Sequence, residues 1–449
     1  MVQTELHKSE ILRRKVEDIA IELAMKLKDK EAVSAAIQDK ENFILHHGVK
    51  HYPWEPLSLS HGYPAICVAM GEMDKFRQDS GWDLVGHDYV LGIKKEIERH
   101  GIHSLSMWSG LSGILMGVHA LSKGGSRYKG FINQLIQFFC ETYPAELEKT
   151  MAKNDLEMSD YDVIEGWCST IGILLLYKEE EWAKTALGKV LAYIVSFCED
   201  KTVLGVTVPG WYILPRQLSP ESSPMGEFNC GMSHGIAGVL AAMSICLKEG
   251  IQISGQKEAM HKISDWLRSH SRKDQYGVRL PSIISWEEEV YKDRSNAEDY
   301  HRDAWCYGSP GAARALWLAG EALNRNALKA IALDAYLATF SKPLKKWNIF
   351  SPTFCHGLSG LLRLTHLMYE DSGNEALRIE RDKLLSMIVD MYDQNAPLGY
   401  YDHNFSDNAE KKIANMGMLE GVAGILLTLL SIYQKPISNW DLAFMINKS

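Results

Sequence analysis

The sequence lacks three things. No apolar run approaches the roughly 18–20 residues needed to cross a bilayer, and residues 5–30 form a charged amphipathic stretch rather than a secretory signal. The expectation is therefore a soluble, cytoplasmic protein. No Lys/Arg block is present, and 57 acidic against 48 basic residues give a net charge of −9. A phosphate backbone needs a basic face, so nucleic acid is excluded as a partner. Nor is there a close-set cysteine framework: the eight cysteines, at 67, 140, 168, 198, 230, 246, 306 and 355, mostly lie in apolar runs. They read as free thiols in a reducing compartment.

What remains is ordinary globular composition, 46% hydrophobic and 23% charged, in 449 residues. That length suits two or three domains, or one large repeat-built domain with a sizeable core. The repeats favour one domain over 1–449. A small or polar residue, Gly, two variable residues, then Gly or a small residue and an aliphatic run recurs seven times. The first glycines are Gly62, Gly110, Gly166, Gly235, Gly308, Gly357 and Gly421, with gaps of 48, 56, 69, 73, 49 and 64. A gap of about 50 residues holds two helices and two connections. After each glycine pair the chain is apolar all round, which marks a buried helix; between copies, stretches such as 132–149 and 376–391 are amphipathic and mark helices with one wet face. The expectation is all-α: an α/α toroid of about seven inner and seven outer helices. The long third and fourth gaps carry β-branched and aromatic residues between Gly and Pro breaks, so a strand-containing insertion or lid is expected around 200–229 and 275–289.

Equivalent positions in such a ring face one axis. The residues before the seven first glycines are His61, Ser109, Glu165, His234, Tyr307, His356 and Glu420, a polar set ahead of greasy helices and the natural lining of a central site. Cys306 and Cys355 each stand two places before their glycine, and His356 one place before. Two thiolates and an imidazole make a zinc site with one position open. At a glycine-opened helix start the backbone is not yet helical, so adjacent residues can converge, and the positive helix end favours thiolates. Such a site, holding one zinc per chain, suits thiol activation better than hydrolysis. His234 is the candidate general acid/base, with Asp162, or else Asp160, to orient it. Either Asp could equally cap a helix. Arg302 could hydrogen-bond a developing oxyanion or be a surface charge, and Tyr307 could donate into the site or fill it. For His61, Glu165 and Glu420, satisfaction within the core is the plainer reading.

In its glycine motifs, and above all in Trp305-Cys306-Tyr307-Gly308-Ser309-Pro310-Gly311 and Cys355-His356-Gly357, the chain resembles the lanthipeptide synthetase C-like family, in particular the bacterial class I cyclases of the nisin and subtilin type. Ala65 and Ser169 replace the second glycine in repeats one and three, away from the proposed ligands. The resemblance implies an α/α toroid with zinc on Cys306, Cys355 and His356. It implies thioether closure, in which a precursor cysteine adds to dehydroalanine or dehydrobutyrine. It places His234 as the proton carrier, Arg302 and Tyr307 near the enolate, and Asp162 as the histidine's acidic partner. The implied partners are a dehydrated precursor peptide, leader plus core, together with a dehydratase and an ABC exporter that would hold the protein at the inner face of the membrane. Competing readings are a glutathione-binding or glutathione-adding relative, against which Tyr307 counts because those typically carry His there; protein prenyl transfer, whose ligand set differs; and a non-catalytic peptide scaffold in which Cys230 closes the zinc shell.

Overall fold

A computed structural model of the chain describes residues 2–46, 49–217, 223–294, 302–406 and 409–447. All seven glycine motifs open a helix, and in each the first glycine is the N-cap. The helices are Tyr63–Phe76, Leu111–Ala120, Trp167–Leu176, Ile236–Lys248, Ser309–Ala322, Leu358–Ser372 and Val422–Ser431. They are inner helices in the literal sense: Val422–Ser431 is buried at every position, as is Ile236–Lys248 through Cys246. No polar stripe faces water, so tertiary burial rather than amphipathic patterning holds them.

The stretches between motifs form the wetter layer: Trp82–His100, Lys129–Met151, Glu181–Phe197, Gln256–Ser269, Asn326–Phe340 and Glu375–Asp390. No such helix follows Val422–Ser431 among the described residues. Its outer place is taken by the N-terminal helix Val2–Lys26, which packs on Val422–Ser431, Glu375–Asp390 and Tyr63–Phe76. No described helix is long and apolar enough to cross a membrane.

The chain divides into two compact units. The first comprises Met1–Ser104, Trp108–Leu135 and Ile349–Trp440; the second comprises Leu105–Met107, Ile136–Asn348 and Asp441–Ser449. Within each, consecutive helix starts are stitched by main-chain hydrogen bonds at one register. In the second unit the Val163 N–H donates to the Ser233 carbonyl (3.0 Å) and the Met232 N–H to that of Cys306 (2.8 Å). In the first, Phe354 donates to Leu419 (3.1 Å), Met418 to Leu59 (3.1 Å) and Leu59 to Trp108 (2.9 Å). Donors sit three places before their glycine, acceptors two or three. These groups lie just outside the helices, where the backbone must find partners elsewhere. Within each unit the stitching therefore lines up the polar residues that precede the joined glycines.

The strands are short and antiparallel. In the expected insertions, 201–203 pairs with 206–208, 272–274 with 277–279, and 227–229 with 283–285; residues 218–222 of the first insertion lie outside those described. Two further hairpins, 44–46 with 49–51 and 402–406 with 409–413, add to the expectation. Asp402-His403-Asn404-Phe405-Ser406 has no apolar alternation, so nothing in its pattern announces a strand.

Candidate functional site

In the second unit, Asp162 ends the one-turn helix Met158–Tyr161 in an extended conformation. Its Oδ1 accepts the N–H groups of Ile164 (3.0 Å), Glu165 (2.7 Å) and Gly166 (2.8 Å), fixing the turn into Trp167–Leu176. That leaves Oδ2 to face His234, 2.6 Å from Nδ1. The carboxylate is buried and the imidazole 39% exposed, so a fixed acid orients a ring that solvent and substrate can reach. With Nδ1–H donated to Asp162, the lone pair lies on Nε2. Burial pulls the His234 pKa down, but the bond and charge of Asp162, with negative charge at Cys306 and Glu165, outweigh it and raise the pKa above the ordinary imidazole value. Asp162 thus caps and orients at once. Asp160 is engaged elsewhere, in a capping box with Glu157 and an ion pair with Lys153 (2.5 Å).

Tyr307 lies beside this pair, its ring centre 6.4 Å from that of His234. Its hydroxyl accepts from Asn229 Nδ2 (3.0 Å), and burial holds the phenol pKa well above its usual value, keeping it a neutral O–H. The approach is close enough that a Cβ on Gly231 would stand 2.7 Å from the Tyr307 ring. The Cys306 carbonyl is held by the amides of Met232 and Ser233 (2.8 and 3.3 Å), which fixes the backbone from which the buried thiol projects. Arg302 is half-buried. The turn joining Arg302 to the helix is tight: Gly308 has φ +89, and a Cβ there would lie 1.9 Å from the Arg302 carbonyl oxygen. Under this turn Asp303 and Lys342 form a buried ion pair at 2.8 Å, with side chains 0% and 5% exposed. Cys230 is fully buried against the Phe228 carbonyl, and burial drives its thiol pKa far up, so the neutral thiol persists.

In the first unit, Cys355 and His356 precede the N-cap Gly357 of Leu358–Ser372. One ligand atom each from Cys355, His356 and Glu420 lie within 4.8 Å of one another. His356 Nδ1 is 3.6 Å from Glu420 Oε1, and the other Glu420 oxygen is 3.5 Å from His61 Nε2. Burial lowers the His61 pKa, but the Glu420 contact more than restores it, for a net rise. A thiolate, an imidazole and a carboxylate are the donor types that zinc takes, so these residues fit the ion expected from the sequence. The candidate residues thus fall into two groups: Asp162, His234, Arg302, Cys306 and Tyr307 in the second unit, Cys355 and His356 in the first.

Residues 53–445 match the family model described as lanthionine synthetase C-like protein. The chain belongs to the lanthionine synthetase C-like family. It is 24% identical to the nisin biosynthesis protein NisC of Lactococcus lactis subsp. lactis over 410 residues, 88% of this chain and 90% of that protein. Among solved structures it is similar to nisin cyclase, with a TM-score of 0.74 and 22% identity over 87% of this chain and 92% of that one. At that identity the likeness shows the fold, and the expected all-α class of the α/α toroid is the fold shared with this LanC-like structure.

Two residues of the site carried little sequence signal. Glu420 stood in the polar register with no chemistry assigned, since a carboxylate in a repeat position is as readily a packed residue. Asp402 stood in no register at all, yet its Oδ1 lies 3.6 Å from His356 Nε2.

Proposed function

We propose that this LanC-like chain is a lanthionine cyclase: it closes thioether rings in a dehydrated precursor peptide by adding a cysteine sulfur to the β-carbon of dehydroalanine or dehydrobutyrine. The observation that carries the reading is the Asp162–His234 pair, buried acid to accessible base at 2.6 Å, in a chain of this family that also clusters Cys355 with His356. One zinc ion would be held by Cys306, Cys355 and His356. When bound, it would supply the Lewis acidity that lets a substrate thiol exist as thiolate near neutral pH.

The protein's own groups account for the protons. His234 Nε2 takes the S–H proton, and Asp162 stabilises the imidazolium and fixes its tautomer. The sulfur lone pair forms the S–C bond as the alkene π electrons move toward the carbonyl, leaving an enolate. Arg302 and the neutral Tyr307 hydroxyl would donate to the enolate oxygen. His234 then returns its proton to the α-carbon, so one proton moves from sulfur to carbon and nothing is consumed. Asp162 fits the orienting role better than Asp160, whose carboxylate is tied to Glu157 and Lys153.

The substrate peptide would comprise leader and core. A dehydratase must act first, because the alkene is the electrophile; docking on that enzyme and on an ABC exporter, at the cytoplasmic face of the membrane, fits the same reading. The strand-containing insertions around 200–229 and 275–289 are candidates for a lid in one toroidal domain spanning 1–449. The test is zinc per chain in the parent, Cys306→Ala and Cys355→Ala, followed by loss of alkylatable thiol from a dehydrated, cysteine-containing peptide. About one zinc in the parent, little in the variants and zinc-dependent thiol loss are expected. A parent that neither carries nor takes up zinc would make the chain a peptide-binding scaffold instead.

A further inference from the structure

His356 lies between two carboxylates, and they are not equivalent. Nδ1 is 3.6 Å from Glu420 Oε1, and Glu420, which clusters with Cys355 and His356, is 28% exposed and also meets His61. Nε2 is 3.6 Å from Asp402 Oδ1, and that carboxylate is only 2% exposed. Asp402 Oδ1 accepts the hydroxyl of Ser351 (2.7 Å), and Thr353 Oγ1, 2.9 Å from Ser351 Oγ and 3.4 Å from Asp402 Oδ1, donates its one proton to either of them, all buried. The bracket belongs to the segment 351–356 that carries Cys355 and His356, while Asp402 opens the strand Asp402–Ser406. A buried carboxylate has thus been tied by two hydroxyls to the chain leading into the ligand pair.

A neutral imidazole that ligates a metal has one lone pair for the ion and one N–H to place, and an oriented carboxylate is its usual acceptor. We infer that Asp402 is a positioning residue for the zinc site. It accepts Nε2–H of His356 and fixes the tautomer with the lone pair on Nδ1, the nitrogen that faces Glu420, leaving that lone pair for the ion. At 3.6 Å the contact is longer than a hydrogen bond, so coordination would draw ring and carboxylate together by about 0.5 Å. The inference rests on the proposal that zinc binds His356.

The experiment is chelator competition for zinc by the metal-stripped full-length protein, comparing the parent with Asp402→Asn, Thr353→Val and Cys355→Ala, alongside the thermal midpoint of each metal-free protein. Asp402→Asn should weaken zinc about 10- to 100-fold at unchanged stoichiometry, with the thiolate-to-cobalt absorption of the Co²⁺ form retained. Thr353→Val, which keeps the carboxylate and loosens its bracket, should weaken zinc in the same direction by less, and it serves as the test if Asp402→Asn does not fold. Cys355→Ala should lose the thiolate absorption. Zinc affinity within twofold of the parent in folded Asp402→Asn, or in Thr353→Val if that is the variant that folds, would overturn the assignment while leaving the zinc reading intact. A parent that binds no zinc would overturn both.

Discussion

Asp162 performs two jobs with two oxygens, and an Asp162→Asn substitution separates them. The amide oxygen can still accept from Ile164, Glu165 and Gly166, so the turn into Trp167–Leu176 should survive. What changes is the atom facing His234 Nδ1: an NH₂ donor replaces a carboxylate, so the ring must turn over its tautomer and present Nε2–H where a base is needed. Stability should fall by about 1 kcal/mol or less, the scale of one partly exposed hydrogen bond. Ring closure should slow about 10²- to 10⁴-fold, the usual worth of a positioned acid/base. Asp162→Ala, which also removes three amide bonds, should cost roughly 3 kcal/mol. The pair also has a pH signature. The His234 pKa is raised in the folded chain, so its stabilisation is complete below the ordinary value of about 6.5 and is lost as pH rises through the higher folded value. Asp162→Asn should flatten that part of the stability profile and move the acid limb of the rate profile to lower pH. The assays are urea unfolding across pH, imidazole titration by NMR, and thiol loss from a dehydrated peptide followed by mass spectrometry. An unchanged rate, with His234 titrating as in the parent, would refute the assignment of Asp162 as its partner.

Gly308→Ala should cost about 2–4 kcal/mol, since a positive φ and a carbonyl oxygen 1.9 Å from the new Cβ act together; because the same turn presents Arg302 and Cys306, zinc content should fall with the denaturation midpoint. Lys342→Met removes the ammonium 2.8 Å from buried Asp303, and guanidinium unfolding should show a loss of about 3–5 kcal/mol, partly recovered in the double variant with Asp303→Asn. Chelator removal of zinc from the parent should abolish thioether formation, and readdition should restore it.

The helices were legible because seven glycine motifs, five of them with a second glycine, each precede an apolar run, and the pattern of a helix buried all round is local. Cys306, Cys355 and His356 stand at fixed offsets from those glycines, and of the three the structure clusters Cys355 with His356. Asp162 was visible only as a carboxylate near a helix start, and Asp160, two residues away, fits that description equally. The choice between them is made by which oxygens the turn consumes, something no spacing encodes. Asp402 was invisible because its neighbour in space, His356, is remote in sequence, with two helices between them, and the polar strand that Asp402 opens has no apolar periodicity. The N-terminal helix Val2–Lys26 read correctly as amphipathic, but its place beside Val422–Ser431 follows from tertiary packing alone.

The hydrogen bond from Met418 to Leu59 joins residues at opposite ends of the chain inside the first unit. That fixes a timetable for synthesis. The second unit is built almost entirely from 136–348 and can condense as soon as that stretch is out of the ribosome, whereas the first must wait for residues beyond 349. At about 5–20 residues per second, its N-terminal third spends ten seconds or more with the apolar helices Tyr63–Phe76 and Leu111–Ala120 lacking their final neighbours. Chaperone dependence in the cell should therefore concentrate on this early segment, and a nascent chain arrested once residue 348 has left the ribosome should bind a holdase through residues 63–120 while its later repeats already resist protease.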